Sequence, residues 1–416
     1  MTITTRTIGR RLAIGGAVAL ALLVPATVLA ASAAWTRHLG SGVEDVAGGI
    51  AADSGGVTIV GTTGGNIART VRGPSDAFIR RYDRAGRVLW TRQFGTDGQD
   101  WAIDVAADGA GITLLGATDG SFTGSAGVPG IKDLFVRRYD RSGNVLWTRQ
   151  FGTTEDEEPG AIAADSSGVV VVGTTWGALT GTNAEDDADA FVRRYDRSGR
   201  VLFTRQFGTS SADTAEAVAI DAEGFTVGGG TDGDLARNNA GPFTDGYLRR
   251  FSPTGKALWT RQWGQKGDDQ VLSAAADGSG ITAVGYTHAD ATGEESSQAF
   301  IRRYDRSGRL RWSKVFGTAD SEIAWGVASD SAGLTVTGYT YGSLDGRNAG
   351  TFDVFVRRYD RSGNVTWRKQ FGTTGADLGI DVAADAKGFT VFGNTNGSLG
   401  GEASGELDVF LRRYLR

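Results

Sequence analysis

The sequence predicts a seven-bladed β-propeller, and three observations carry that prediction. One stretch, Asp-Leu-Phe-Val-Arg-Arg-Tyr-Asp-Arg-Ser-Gly-Asn-Val-Leu-Trp-Thr-Arg-Gln-Phe-Gly over residues 133–152, recurs with small changes from Asp76, Asp189, Asp245, Gln298, Asp353 and Asp408. Each unit of about 55 residues reads as four short strands, the pattern of one blade. The units are also out of phase with the chain ends: an outer strand stands alone at the start, and one is missing at the finish.

Two strands lie in the recurring stretch. Phe135, Arg137 and Tyr139 share one face of the first, and Trp147, Arg149 and Phe151 share one face of the second. Aromatic and β-branched residues at a period of two indicate strands. Asp140-Arg141-Ser142-Gly143 joins them. Asp at the first turn position can bond backbone two residues on, and Gly at the fourth supplies a left-handed conformation that closes a bulged hairpin. The other two strands follow a polar loop. They are Ala161 to Asp165 and, after a second Asp-x-x-Gly turn, Val169 to Thr175. A variable loop, Trp176 to Ala188, leads to the next unit.

The outer-strand aromatic falls at Trp35, Trp90, Trp147, Phe203, Trp259, Trp312 and Trp367, at spacings of 53 to 57 residues. The third strand ends at Tyr82, Tyr139, Tyr195, Phe251, Tyr304, Tyr359 and Tyr414. Both sets number seven. Residues 35–39 are therefore expected to complete the last blade beside Val409 to Tyr414. Such closure leaves no unpaired edge between the ends.

Asp189 to Asp196 (Asp-Ala-Phe-Val-Arg-Arg-Tyr-Asp), with Trp-x-x-x-Phe-Gly and Val-Ala-x-Asp-x-x-Gly, resembles the bacterial seven-bladed β-propeller (SBBP) repeat family over residues 35–414. The resemblance implies the scaffold and is almost silent on activity. A weaker likeness is to quinoprotein-type propeller repeats, whose tryptophan-docking motif looks like Asp140-x-x-Gly143-x-x-x-Trp147, here one residue shorter.

Residues 1–33 read as a secretory signal peptide, leaving 34–416 as the propeller. Arg6, Arg10 and Arg11 form a positive start, Leu12 to Leu29 is apolar, and Ala31-Ser32-Ala33 is a small-residue cleavage site. A retained membrane anchor is the alternative. Removing those three arginines from the formal charge of −5 leaves −8. A mildly acidic exported chain does not suit nucleic acid. With no cysteine, stability must come from core and closure.

Three repeated sets read as packing in the narrow part of a blade: Gly61 and its equivalents, Thr63 and its equivalents, and Ala51 and its equivalents. Of each arginine pair, such as Arg137-Arg138, one is expected to lie along a Trp or Tyr of an adjacent strand and the other to meet solvent or a carboxylate. An acid recurs eight residues before each inner turn: Asp45, Asp100, Glu157, Asp213, Asp269, Glu322 and Asp377. These seven are the candidate metal positions, as a ring attracting cations such as calcium. The favoured reading is that each caps its loop or pairs with an arginine. The acid-rich runs Glu185-Asp186-Asp187 and Asp232-Gly233-Asp234 lack EF-hand spacing and read as solvated charge.

Trp101, Trp176 and Trp325 fit no repeated Trp position. All three fall on the face opposite the Asp-x-x-Gly turns and are the candidate ligand-binding residues, since exposed aromatics stack on sugars or anchor peptides. There is no HExxH, GxSxG or P-loop, and the two histidines, His38 and His288, are far apart in sequence. No catalytic residue and no cofactor are therefore expected. The leading expectation is a monomeric, secreted or cell-surface, non-enzymatic binding or scaffold module for a glycan or an extracellular protein or peptide. The alternative is a secreted carbohydrate-active enzyme using loop carboxylates.

Overall fold

The computed structural model describes residues 32–124, 131–180, 187–236, 243–288 and 296–416. The apolar and basic start of the proposed signal peptide, residues 1–31, lies outside them, as do Glu185 and Asp186 of one acidic run. The described residues form seven four-stranded antiparallel sheets. Among them there is no helix, and so none long and apolar enough to cross a membrane.

The blades follow the chain. Blade 1 spans residues 45–94, blade 2 100–151, blade 3 157–207, blade 4 213–263, blade 5 269–316 and blade 6 322–371; blade 7 takes 377–415 together with 33–39. Blade 3 shows the plan: Glu157–Asp165 innermost, then Gly168–Thr175, Asp189–Asp196 and Val201–Phe207 outermost. In blade 7 the outer strand is Ala33–Leu39, paired to the third strand from Ala33 opposite Tyr414 to Leu39 opposite Val409. The closing strand is thus in the expected place and two residues longer than expected.

The third-to-outer hairpins are bulged as expected. Register shifts between Arg138 and Tyr139, and Gly143 has φ 81°. Asp140 Oδ1 accepts the Ser142 and Asn144 amides at 2.9 and 2.8 Å. Gly143 has a second reason to lack a side chain. A Cβ there would lie 2.8 Å from the Trp90 ring, and the Trp90 indole N–H donates to the Arg141 carbonyl at 2.9 Å. The outer tryptophan of one blade therefore docks on the hairpin of the next. Trp35 does the same on Gly86, carrying the pattern across the closure.

The cores lie between blades, as seven apolar clusters at seven junctions. Leu39, Val409 and Leu411 meet Ile50, Ile59 and Phe78 at the junction of blades 7 and 1. Seven blades with seven junctions make a closed ring. The junction of blades 4 and 5 has the smallest cluster, built on Ala217, Leu248, Val271, Ile281, Ala283, Phe300 and Tyr304.

The arginine pairs split between two jobs. The second of each pair is buried and meets the turn carboxylate of its own blade: Arg138 Nη2 reaches both Asp108 oxygens at 2.9 and 2.8 Å, and Nη1 reaches Thr113 at 2.8 Å. In six blades the first lies over the ring that ends the preceding blade's outer strand, the expected Trp only for Arg302 over Trp263, while Arg80, whose neighbour there is Leu39, donates instead to Thr91 at 2.8 Å. Arg137 sits 4.2 Å from the Phe94 ring and Arg193 4.0 Å from Phe151, each ring ending the outer strand of the preceding blade. The cation–π pair thus staples neighbouring blades. The glycine set does pack: a Cβ at Gly173 would lie 2.3 Å from the Glu158 carbonyl oxygen. The threonine set is a correction, because its hydroxyls bond rather than fill space, as when Thr175 Oγ1 donates to Glu157 at 2.9 Å.

Candidate functional site

The seven recurring acids do not sit in loops, as the sequence suggested. Six open an inner strand, and Asp213 forms an isolated bridge with Thr231 at the same level. All are buried. Asp100 shows the arrangement. Its carboxylate accepts the Thr96 amide at 2.6 Å and the Thr96 hydroxyl at 3.1 Å, so it caps the loop that precedes it. Burial pushes its pKa up, with Asp76 nearby adding to the rise. None of the seven lines the central channel. Among the described residues no three His, Asp or Glu side chains are grouped to hold a metal ion.

That channel, of about 490 Å³, is bordered by all seven inner strands. Three residues into each comes a lining position, held in turn by Gly48, Ile103, Gly160, Glu216, Leu272, Trp325 and Ile380. Five are small or aliphatic. Glu216 and Trp325 are the exceptions, two blades apart with Leu272 between them.

One residue deeper, Asp104 of blade 2 and Asp381 of blade 7 flank Gly49 of blade 1. Asp104 accepts the Val105 and Ile162 amides at 2.7 and 2.9 Å, and Asp381 accepts those of Val382 and Ile50 at 2.7 and 3.1 Å. A Cβ at Gly49 would lie 2.3 Å from Asp104 Oδ1, so the missing side chain makes room for the carboxyl. Burial and the charge of Asp381 push Asp104 up to about 8, and burial also raises Asp381. A carboxyl raised on folding contributes stability that is full below its unfolded pKa. That contribution is lost as pH climbs through the folded value. Stability should therefore fall between about pH 4 and 8. In Asp381→Asn that fall should shrink by ~1–2 kcal/mol, read as unfolding free energy against pH. Equal slopes in the two proteins would show the carboxyls to be uncoupled.

Outside the channel mouth a groove of about 520 Å³ runs across blades 4 to 6, on the face opposite the Asp-x-x-Gly turns. Glu216, Leu272 and Trp325 line both spaces, so the groove adjoins the channel. Local irregularity builds it. The inner strand of blade 4 is shortened to Ala217–Asp221, and Gly228, Gly229 and Gly230 stand side by side in the next strand. A Cβ at Gly230 would lie 2.1 Å from the side-chain oxygen of Gln270, so the glycine admits that side chain from blade 5. Gln270 Nε2 then donates to Thr214 Oγ1 at 3.0 Å.

Tyr286 and His288 form the blade 5 wall, with ring centroids 5.4 Å apart. Beyond them Tyr339, Tyr341 and Phe352 of blade 6 make an aromatic group, with Tyr341 to Phe352 at 4.5 Å. Burial raises the Glu216 carboxyl, and Glu158 adds to the rise. Burial likewise raises the Tyr286 phenol, followed by the charges of Asp268 and Glu216. No Lys or Arg is among the residues that line the groove.

Of the three tryptophans expected at a ligand, only Trp325 lines this space. Trp101 is the second residue of the blade 2 inner strand, half-buried against the blade 2–3 core, with Lys132 Nζ 5.9 Å from its ring. Trp176 follows the second strand of blade 3; it is 37% exposed, and its amide donates to the Asp156 carbonyl at 3.1 Å. Glu216, Gln270, Tyr286 and Tyr339 were not singled out from the sequence.

No family model matches the chain. A segment is 28% identical over 183 residues to "Regulatory protein FlaEY" of Caulobacter vibrioides; the match covers 38% of this chain and 18% of that protein's length. Among solved structures, the chain is similar to the WD40 domain of Neurospora crassa Pan2, with a TM-score of 0.52 and 12% identity, covering 92% of this chain and 97% of that one. It is also similar to the extracellular domains 1–2 of Drosophila Semaphorin 1b, with a TM-score of 0.52 and 9% identity, covering 93% and 87%. At these identities the likeness is one of fold.

Proposed function

We propose that the chain is an exported, non-enzymatic binding or scaffold module of the bacterial seven-bladed repeat kind. Its ligand lies on the loop face, in the groove of blades 4 to 6. One observation carries this reading: several departures from sevenfold regularity meet at one groove of the loop face. Glu216, Tyr286 and Trp325, from three consecutive blades, stand where most other blades carry small or aliphatic residues, and a rigid ring holds them around a formed groove. The Caulobacter relative is named as a regulatory protein, which is in keeping with a module that binds rather than transforms. Export rests on the basic and apolar character of residues 1–33.

The test is a screen of the purified protein against glycan and peptide arrays, with and without calcium. Saturable binding without turnover is expected. Trp325→Ala should weaken it at least ~10-fold, about 1.4 kcal/mol. Trp101→Ala and Trp176→Ala should leave it unchanged. Loss in Trp176→Ala with retention in Trp325→Ala would move the site to blade 3. Glycan turnover abolished by changing one carboxylate pair would make the protein a hydrolase or lyase instead.

A further inference from the structure

Glu216, partly buried at the channel mouth, stands apart from the buried acids of this ring. The turn aspartates are matched by arginines: Asp53 by Arg81, Asp108 by Arg138, Asp385 by Arg413. The acids that open the inner strands are matched by amides and hydroxyls, as Asp100 is by Thr96. Glu216 has the Thr214 hydroxyl and a second acid, Glu158, as the groups that act on it, and no cation among them. The groups acting on the neighbouring Tyr286 phenol are all acids or another phenol: Asp268, Glu216, Tyr339 and Asp269. Glu158 has Lys132 3.9 Å away, and His288 is the one ring on the groove wall that can take a positive charge, whereas among the described residues no Lys or Arg pairs with Glu216. A partly desolvated carboxylate so placed is costly unless a cation joins it.

The surroundings say what kind of cation fits. A small hard ion needs several oxygen ligands at short range, and no such group exists among the described residues. The walls are instead rings, those of Trp325 and Tyr286 in the groove with Tyr339 beside them. Aromatic faces attract cations through the ring quadrupole, indole most strongly, and they suit diffuse, weakly hydrated alkylammonium groups. The groove is open to solvent and adjoins the channel, so a charged head group can enter while its chain extends outward.

We infer that the groove between blades 4 and 6 binds an organic ammonium group, with Glu216 as its counter-ion and the Trp325 and Tyr286 rings as its walls. The ammonium belongs either to a lysine side chain of an extended peptide or to a small quaternary amine. This inference rests on the binding reading above and adds the ligand class to it.

The experiment uses protein purified after expression of the whole chain. Calorimetry and tryptophan fluorescence follow two titrations: choline against its neutral isostere 3,3-dimethylbutan-1-ol, and an unstructured lysine-containing peptide against its norleucine counterpart. At least one cationic probe should bind saturably, and its neutral counterpart at least ~10-fold more weakly. Glu216→Gln and Trp325→Leu, checked for unchanged melting temperature, should each weaken the cation by a similar factor, and Glu216→Gln should leave the neutral probe unaffected. Binding of the peptide alone identifies lysine as the source, and binding of choline alone identifies a small amine. Equal affinity for charged and neutral probes, no effect of Glu216→Gln, or no saturable binding of either cation overturns the inference. If an array ligand without an amine is lost in Trp325→Ala while both cations fail to bind, the cation assignment falls and the binding reading stands. If amines bind but neither variant weakens them, both fall.

Discussion

Deleting residues 33–39 should lower the melting temperature by ~10 °C or more and turn the monomer expected from the sequence into an associating species. The strand contributes six register pairs to blade 7, from Ala33 opposite Tyr414 to Leu39 opposite Val409. Its side chains reach across the ring seam. The Trp35 indole N–H donates to the Arg84 carbonyl at 3.1 Å, and Arg37 Nε donates to that of Gly86 at 2.8 Å, both in blade 1. His38 Nε2 lies 2.8 Å from Asp408 Oδ2. Leu39 is buried in the core of blades 7 and 1. Removing a packed tryptophan alone costs ~3 kcal/mol, and the deletion also bares the third strand of blade 7 as a sheet edge. Thermal melts and light scattering on the truncated and whole proteins decide this. A truncated ring that melts like the whole and stays monomeric would show that the outer strand adds nothing to closure.

Arg138→Ala should cost ~3–5 kcal/mol, the cost of leaving one half of a buried ion pair unmatched. Arg138 is 2% exposed, and Asp108 would keep the Ala110 and Gly111 amides and, as the one paired cation among the described residues, Arg197 4.0 Å away. The double variant Arg138→Met with Asp108→Leu should recover most of that loss, because the desolvated charge goes with the arginine. Arg200→Ala is the contrast. Its pair with Asp196 is three-quarters exposed on the arginine side, and the change should cost less than ~0.5 kcal/mol. Unfolding free energies from denaturant titration measure all three. A loss in Arg138→Ala no larger than in Arg200→Ala would contradict the assigned role of the buried pair.

Blade number, turn chemistry and closure were legible in the sequence because each is written within one unit or at the chain ends. Gly143 and Asp140 show their turn within four residues, and the unmatched Trp35 and Tyr414 show the seam. What the sequence hid lies between units. Alternation put Arg137 and Arg138 on opposite faces, but the ring under Arg137 is Phe94, in the preceding blade, and no periodicity inside a unit points to it. Thr175 looked like filler because its partner, Glu157, is on another strand. The site was half legible. Trp325 broke the aromatic pattern and was noticed; Trp101 and Trp176 broke it too, yet line neither groove nor channel. Glu216 is hidden in the sequence, because the acids that stand out there are those that all seven units carry. The informative positions are those where one or two units differ: Glu216 among Gly48, Ile103 and Leu272, and Tyr286 and Tyr339 among Thr62, Ala117 and Gly230.

The pairing of Trp35 with Arg413 also sets how the ring answers to force. The clasp strands run antiparallel, with the N-terminal end of one beside the C-terminal end of the other. Tension applied through both termini would therefore pull at one end of the clasp and load its hydrogen bonds in sequence, each worth about 1 kcal/mol, instead of all together. The seam would unzip at low load while the other six sheets, loaded only after it opens, stayed whole. Tethered at both ends, this propeller would behave as a mechanical fuse that yields first at blade 7.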